Sequence, residues 1–422
     1  MQLTSDQCQA LEQAKKFVCR DEPASVMVLR GSAGTGKTTL IKSIIEEVKG
    51  NFDNVVVCAP TNKAARVLNR KTGLHAGTIH KLLFKIEEED GITEYVRLFP
   101  KKDERLLIVA DEASMIRDRI DRSDSLFGGI RLLSQLLEYF SYCSPGSRLI
   151  FVGDPCQLAP IGYESYEKSP ALDGEYLRTQ KQLVVVESEL KEIVRQANDS
   201  YILEGATSLR NYMLYGASHY AVSPRFLRNS SACIEKYLEY YSTDHEDRVM
   251  KIAWTNRNVN WWNQVMRERL DLSARPLMPG TRVLIDRTRS EQLSTMSKGE
   301  TGHVFNIDGP VETFANLQFQ PVTIMICDED GVVTREQKGL ALLEYLSSYK
   351  GGLADEQERH LVKEALRCND KYRENKRAEL DPYVNAFRLR YGYALTCHKA
   401  QGCEYENVIV NPFQPQGDLR WL

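Results

Sequence analysis

The chain has 422 residues, 42% of them hydrophobic and 27% charged, with a formal net charge of −3. Such a composition excludes a globally disordered protein and supplies roughly two to four compact units with apolar cores. The near-balanced charge excludes a surface coated with basic residues for duplex DNA, so any nucleic-acid site must be a local groove.

The N-terminus, Met1-Gln2-Leu3-Thr4-Ser5-Asp6, has neither the basic region nor the apolar core of a signal peptide, and no run of eighteen apolar residues follows. A cytosolic protein is expected, with no membrane partner. The ten cysteines contain no CxxC pair, which points to buried, reduced thiols rather than zinc or a disulfide framework.

Leu3-Thr4-Ser5-Asp6-Gln7 precedes a helical stretch from Cys8 to Val18 and reads as an ordinary N-cap. The Gln7 amide, one donor and one acceptor, also suits the edge of an adenine. Next, the apolar run Val26 to Leu29 enters Gly31-Ser32-Ala33-Gly34-Thr35-Gly36-Lys37-Thr38, and a helical pattern from Leu40 to Val48 leaves it. This is the eight-residue phosphate-loop pattern in its required strand-loop-helix setting. Three glycines let successive N–H groups turn into one concavity, to which the helix adds the positive end of its dipole. Lys37 is then placed to bridge β- and γ-phosphates, and the Thr38 hydroxyl to meet Mg²⁺.

A second buried strand, Val55 to Ala59, ends in Pro60-Thr61-Asn62-Lys63 and a helix from Ala64 to Leu68; Gly77-Thr78-Ile79-His80 opens another helical run. Ligands of open parallel sheets sit beyond the carboxyl ends of strands, although Thr61 and Thr78 also read simply as helix caps. Residues 84–104 break the rhythm: Phe84 to Glu89, an Asp90-Gly91 turn and Ile92 to Phe99 predict a hairpin of type I′. The strand Arg105 to Ala110 then ends in Asp111-Glu112. Adjacent carboxylates there are costly unless a cation meets them, and beside a phosphate loop that cation is Mg²⁺ on Asp111, with Glu112 accepting the proton of the attacking water. A further strand, Arg148 to Val152, runs into Gly153 to Pro160, where Gln157 is suited to orient water or sense a γ-phosphate.

Taken in order, LTSDQ, GSAGTGKTT, CAPTNKAARVL, GTIHKLL, VADEASM, VGDPCQLAPIG, ELKEIVRQ and YALTCHKAQGCEYENVIV form a series that resembles the motifs of superfamily 1B DNA helicases of the RecD and phage Dda types. The resemblance implies an α/β fold of two RecA-like domains, ATP and Mg²⁺ between them, and single-stranded DNA across both. It implies 5′→3′ translocation and strand separation at single-strand/duplex junctions, the 84–104 hairpin serving as the pin, with Tyr95 or Phe99 able to stack on a base. Gln7 would contact adenine; Gly31, Ser32, Ala33, Gly34, Thr35, Gly36, Lys37, Thr38 and Thr39 the phosphates; Thr38 and Asp111 the metal; Glu112 the catalytic water. Gln157 would couple the γ-phosphate to the DNA side, Arg195 would be an arginine finger, and Glu404 would meet the ribose. Pro60, Thr61, Thr78 and His80 in the first domain, and Thr255, Asn256, Thr396 and His398 in the second, resemble positions that grip the DNA backbone. Stacking from Trp254, Trp261 or Trp262 is a further expectation, with core packing the plainer use for two of them. A monomer in a bacterial or phage-infected cell, working with recombination or repair proteins, completes what the resemblance implies.

The expected layout is a first RecA-like domain over 1–180, the first part of a second over 181–279, an SH3-like barrel with a helical arm over 280–386, and a return over 387–422. Barrel strands are predicted at Thr281 to Asp286, Glu300 to Ile307 and Val322 to Asp328, with a turn at Asp330-Gly331. The arm is predicted over 338–380, with Leu340, Leu342, Leu343, Tyr345 and Leu346 as its apolar face. A strand is expected from Phe387 to Thr396. The family continues past this point with a Thr-Arg motif, while this chain stops at Trp421-Leu422; the alternative expectation is therefore an ATP-gated single-stranded DNA-binding protein with little turnover.

Overall fold

The computed structural model describes residues 3–19, 25–89, 92–120, 130–159, 163, 168–194, 201–215, 230–241, 249–287, 299–327, 333–346, 348, 352–375, 377–403 and 405–410. They fall into two compact units, one drawn from Met1–Glu87 and Tyr95–Arg225, the other from Glu88–Glu94 and Phe226–Phe413.

From Ser5 to Tyr215 the elements run α1 (Ser5–Val18), β1 (Ser25–Gly31), α2 (Lys37–Val48), β2 (Asn54–Ala59), α3 (Asn62–Thr72), β3 (Ala76–Thr78), α4 (Ile79–Leu83), β4 (Phe84–Glu89), β5 (Ile92–Arg97), β6 (Leu106–Ala110), α5 (Leu132–Ser141), β7 (Arg148–Gly153), α6 (Gly174–Lys181), β8 (Val184–Leu190) and α7 (Tyr201–Tyr215). Six strands form a parallel sheet in the order β3-β2-β6-β7-β1-β8. Its central strands β6, β7 and β1 are largely apolar on both faces, as a sheet covered by helices on both sides requires. Met27 and Leu29 of β1 pack with Phe17, Leu40 and Ile44 on one face, while Val26 and Val28 pack with Leu133, Leu136 and Phe140 on the other.

The boundary expected at residue 180 is corrected. All seven residues of β8 pair in parallel with β1, from Ser25 opposite Val184 to Gly31 opposite Leu190, so β8 closes the first sheet. Strands β4 and β5 pair as a two-stranded ribbon; the Asp90-Gly91 turn and the Tyr95 side chain lie outside the description. Phe99 meets Tyr142 edge-on at 5.2 Å, with the Arg97 guanidinium 5.5 Å from its ring centre. It therefore has ring partners in its own unit while staying well exposed.

The second unit contains α8 (Ser230–Tyr241), β9 (Val249–Ala253), α9 (Asn256–Arg269), β10 (Arg282–Arg287), β11 (Thr301–Ile307), β12 (Glu312–Phe314), β13 (Leu317–Cys327), β14 (Val333–Leu342), α10 (Leu343–Leu346), α11 (Asp355–Cys368), α12 (Asp370–Asn375), β15 (Arg388–Tyr391), β16 (Ala394–Thr396), α13 (Cys397–Ala400) and β17 (Asn407–Val410). Here β9 sits between β16 and β17 in a parallel sheet, packed through Tyr237, Trp262, Met266 and Tyr393. Trp262 is thus core, Trp254 is half-buried and Trp261 is exposed.

The inserted strands form an antiparallel sheet in the order β12-β13-β11-β10-β15, with β14 beside β13. Two expectations change. Residues 338–342 belong to β14 and not to a helical arm, because Leu340 and Leu342 face one cluster and Ala341 the other, the period-two alternation of a strand. The stretch from Phe387 to Thr396 is two strands: β15 pairs with β10, and the chain joins β9 only at β16, so the return expected at 387 comes at 394.

Buried polar groups bind the root of this insertion to the parallel sheet. Arg282 is fully buried; its N–H donates to the Tyr393 hydroxyl at 3.0 Å and its Nη1 to the Val249 carbonyl at 3.0 Å. The Asp286 carboxylate accepts from Arg390 Nε and Lys399 Nζ, both at 2.6 Å. The cysteine expectation also needs correcting. None of the ten is in a disulfide, but only Cys58 and Cys327 are buried, and Cys8, Cys19 and Cys368 are exposed. No helix among the described residues is long and apolar enough to cross a membrane.

Candidate nucleotide site and strand-end threonines

The loop after β1 is built by backbone geometry. Gly34 and Gly36 take φ of 87° and 76°, conformations that favour glycine. Gly36 is also the N-cap of α2 and offers no side chain, so the first N–H groups of α2 are not capped by the residue before it. Lys37 Nζ lies 2.8 Å from the Gly31 carbonyl and 3.0 Å from that of Ser32.

Three neighbours fix the loop. From α1, Gln7 completes a capping box, its Oε1 accepting from Thr4 N at 3.0 Å, and its Nε2 donates to the Thr35 carbonyl at 2.9 Å. From the end of β7, Asp154 Oδ2 accepts the Ala33 N–H at 3.1 Å. From beyond β8, the Val194 N–H donates to the Gly34 carbonyl at 2.9 Å, and Asp6 holds that segment by accepting from the N–H groups of Lys191 and Glu192 at 2.8 and 3.0 Å. Gln7 is therefore both cap and buttress of the loop.

Asp111 and Glu112 stand at the end of β6. Asp111 Oδ1 accepts the Glu112 N–H at 2.9 Å. Burial pushes the Asp111 carboxyl up, against the pull of that N–H and of Lys37. Burial, together with the neighbouring Asp111 charge, takes Glu112 to about 7. Glu112 adopts a left-handed backbone, φ 51°, and its Oε2 is buried without a hydrogen-bond partner. Ser114 Oγ donates to Gln157 Oε1 at 3.0 Å, and Gln157 in turn holds Glu112 down.

Three of the four strand-end threonines share one local design. Thr61 follows β2 and caps α3, accepting from Ala64 N at 3.1 Å; Thr78 ends β3 and caps α4, accepting from Lys81 N at 3.2 Å. In the second unit Thr255 follows β9 and caps α9, accepting from Asn258 N at 3.1 Å, while Thr396 ends β16 and is the N-cap of α13 without a side-chain cap bond. Thr396 pairs in register with Ala253, so Thr255-Asn256 and Thr396-His398 leave adjacent strand ends. A capping hydroxyl accepts through its oxygen and still carries its own O–H donor. Capping and a ligand contact are therefore compatible.

The structure brings Gly31–Thr39, Asp111, Glu112 and Gln157 to the carboxyl edge of one sheet, with Pro60, Thr61, Thr78 and His80 at neighbouring strand ends. Arg195 and Glu404 lie outside the described residues. Two participants are not singled out from the sequence: Asp154, which sits in the VGDPCQLAPIG motif but whose partner Ala33 is distant along the chain, and Arg210 on α7, outside every motif, whose Nη2 is 4.0 Å from Asp154 Oδ2. Gly31, Ser32, Asp154 and Arg210 line a cavity of about 240 Å³.

A phosphate loop feeding a helix at the carboxyl edge of a parallel sheet, faced by strand-end carboxylates, is the arrangement typical of RecA-like phosphate-loop domains. Residues 2–213 match the AAA domain model AAA_30, and the chain belongs to that family. It is 33% identical to the ATP-dependent RecD2 DNA helicase of Deinococcus radiodurans over 136 residues, covering 32% of this chain and 16% of that protein. It is 28% identical to the ATP-dependent DNA helicase dda of Enterobacteria phage T4 over 257 residues, covering 58% of this chain and 52% of that one. These relatives agree with the superfamily 1B resemblance of RecD and Dda type. The chain thus spans about half the length of the phage relative and less of the bacterial one. The crystal structure of Pif1 helicase from Candida albicans superposes with a TM-score of 0.50 at 16% identity, covering 100% of this chain and 91% of that chain, a likeness of fold.

Proposed function

We propose that this chain is an ATP-dependent DNA helicase that moves 5′→3′ along single-stranded DNA and opens single-strand/duplex junctions. The observation that carries the reading is the shared carboxyl edge of the first sheet, where the phosphate loop and Asp111-Glu112 stand beside the strand-end threonines Thr61 and Thr78. The family and the named helicase relatives support it.

In this reading the loop N–H groups and Lys37 hold the ATP phosphates, and Glu112 accepts the proton of the attacking water while Gln157 positions the Glu112 carboxylate. The residues fit magnesium: Thr38 and Asp111 offer hard oxygen donors, and the Oε2 of Glu112, next to Asp111 in the chain, is buried with no hydrogen-bond partner. When bound, that ion neutralises phosphate charge. Arg195 is the arginine finger, Glu404 meets the ribose, and Gln7 reads adenine while buttressing the loop. Thr61, Thr78, Thr255 and Thr396, with Pro60, His80, Asn256 and His398, grip DNA phosphates without reading sequence. The β4–β5 ribbon serves as the pin, and the antiparallel sheet of the second unit is the SH3-like insertion.

The test is ATP turnover with and without single-stranded DNA. Turnover stimulated by DNA, and lowered about 100-fold or more by Lys37→Ala and by Glu112→Gln, supports the reading. Turnover indifferent to DNA refutes it. Strand displacement from 5′-tailed but not 3′-tailed duplexes checks the direction, and the opposite preference overturns it.

A further inference from the structure

We propose that Arg210 is a phosphate-binding residue: its guanidinium contacts the terminal phosphate of a nucleoside triphosphate on the Gly31–Thr38 loop, and Asp154 holds it beside the loop when that phosphate is not there. The proposal rests on the ATP reading above and adds to it a residue of the first unit that none of the sequence motifs singles out.

The guanidinium is half-buried and incompletely paired, with a hydrogen bond to the Cys156 thiol and no close carboxylate. The Arg210 side chain is 17% exposed, its nearest carboxylate oxygen is 4.0 Å away, and its Nε is buried with no partner. Arginine carries five N–H donors in a rigid fork, and its charge is costly to bury unless hydrogen bonds compensate it. A separation of 4.0 Å is an ion pair but not a hydrogen bond. The side chain therefore has donors to spend on an anion.

The surroundings say where that anion sits. The cavity beside Arg210 has Gly31 and Ser32 of the phosphate loop in its wall, with Asp154, Glu189 and Lys191. Lys191 and Glu189 pair with each other at 3.8 Å, which leaves Asp154 as the counter-charge of Arg210. That carboxylate is already shared, because its Oδ2 takes the Ala33 N–H of the loop. One oxygen thus serves both a loop N–H and the arginine. A phosphate on the loop offers the same two donors a stronger acceptor, and planar guanidinium matches phosphate oxygens in pairs. Exchange of Arg210 from Asp154 to the phosphate costs no new burial of charge.

The test separates triphosphate from diphosphate. Affinities of the full 422-residue chain for a non-hydrolysable ATP analogue and for ADP, each with Mg²⁺, are measured for wild type, Arg210→Gln and Arg210→Lys. The expected result is a loss of about tenfold or more for the analogue in Arg210→Gln, an ADP affinity within about twofold of wild type, and partial recovery in Arg210→Lys. Unchanged ADP binding shows that the loop is still folded. An equal loss for both nucleotides assigns Arg210 to structure and overturns the proposal, as does an unchanged preference. A wild-type chain that binds neither nucleotide overturns the ATP reading itself.

Discussion

Gln7 and Gly36 compete for one small volume. A Cβ at residue 36 would collide with Gln7 Nε2 and would hold a left-handed φ of 76°. Gly36→Ala is expected to cost about 2 kcal/mol of stability and to weaken nucleotide binding. Adding Gln7→Ala opens the space, so the double variant should lose about 1 kcal/mol less than the sum of the single ones, read from urea midpoints; strict additivity would deny the contact. A second residue titrates unusually. Lys251 on β9 is buried beside the Trp262 ring, 4.8 Å from its centre, and burial lowers its ammonium from 10.5 to about 8. The folded state thus disfavours the charged form: the penalty is complete below about pH 8 and fades as pH rises toward 10.5, where the unfolded chain also loses the proton. Lys251→Met should be more stable at pH 7 by about 1–3 kcal/mol, with the difference shrinking between pH 8 and 10.5 in paired melting curves. A difference that is flat with pH would contradict the burial argument.

At the scale of elements, the threonine caps carry two jobs in the proposed function, helix capping and DNA contact, that substitution can separate. Thr61→Ala removes the cap of α3 at about 1 kcal/mol and weakens single-stranded DNA binding. Thr61→Asp keeps a capping oxygen, so stability stays within a few tenths of a kcal/mol, while its charge repels phosphate and DNA affinity falls further. Equal DNA affinity for wild type and Thr61→Asp would remove Thr61 from the interface. These caps were legible in the sequence because a cap is local: Thr61 and its partner Ala64 are three residues apart. So were the phosphate loop and the Asp111-Glu112 strand end, which lie in short apolar-to-polar transitions. What was not legible is membership. Val184-Val185-Val186 announces a strand, but only pairing with β1 says which sheet, and the turn after Tyr391 does not reveal that β15 and β16 join different ones. The same limit hides Asp154 and Arg210, whose partners are set by the path of the chain and not by spacing.

For the whole molecule, a net charge of −3 and proposed DNA contacts that are mostly hydroxyls and amides predict weak dependence on salt. The plot of log affinity for single-stranded DNA against log salt should have a slope shallower than about −3, since each neutralised phosphate contributes about −0.7; a steep slope would reveal a basic groove elsewhere. The roots of the insertion have a different consequence. Arg282 reaches from β10 to the Val249 carbonyl and the Tyr393 hydroxyl, and Asp286 holds Lys399 of α13. Trimming the protein by removing the antiparallel sheet would strip buried partners from the parallel one, at about 1–3 kcal/mol for each group left unsatisfied. The insertion is therefore more than an appendage: its first strand carries Arg282 and Asp286, whose partners include Val249 of β9 and Lys399 of α13, so the sheet it interrupts leans on it for the satisfaction of buried polar groups.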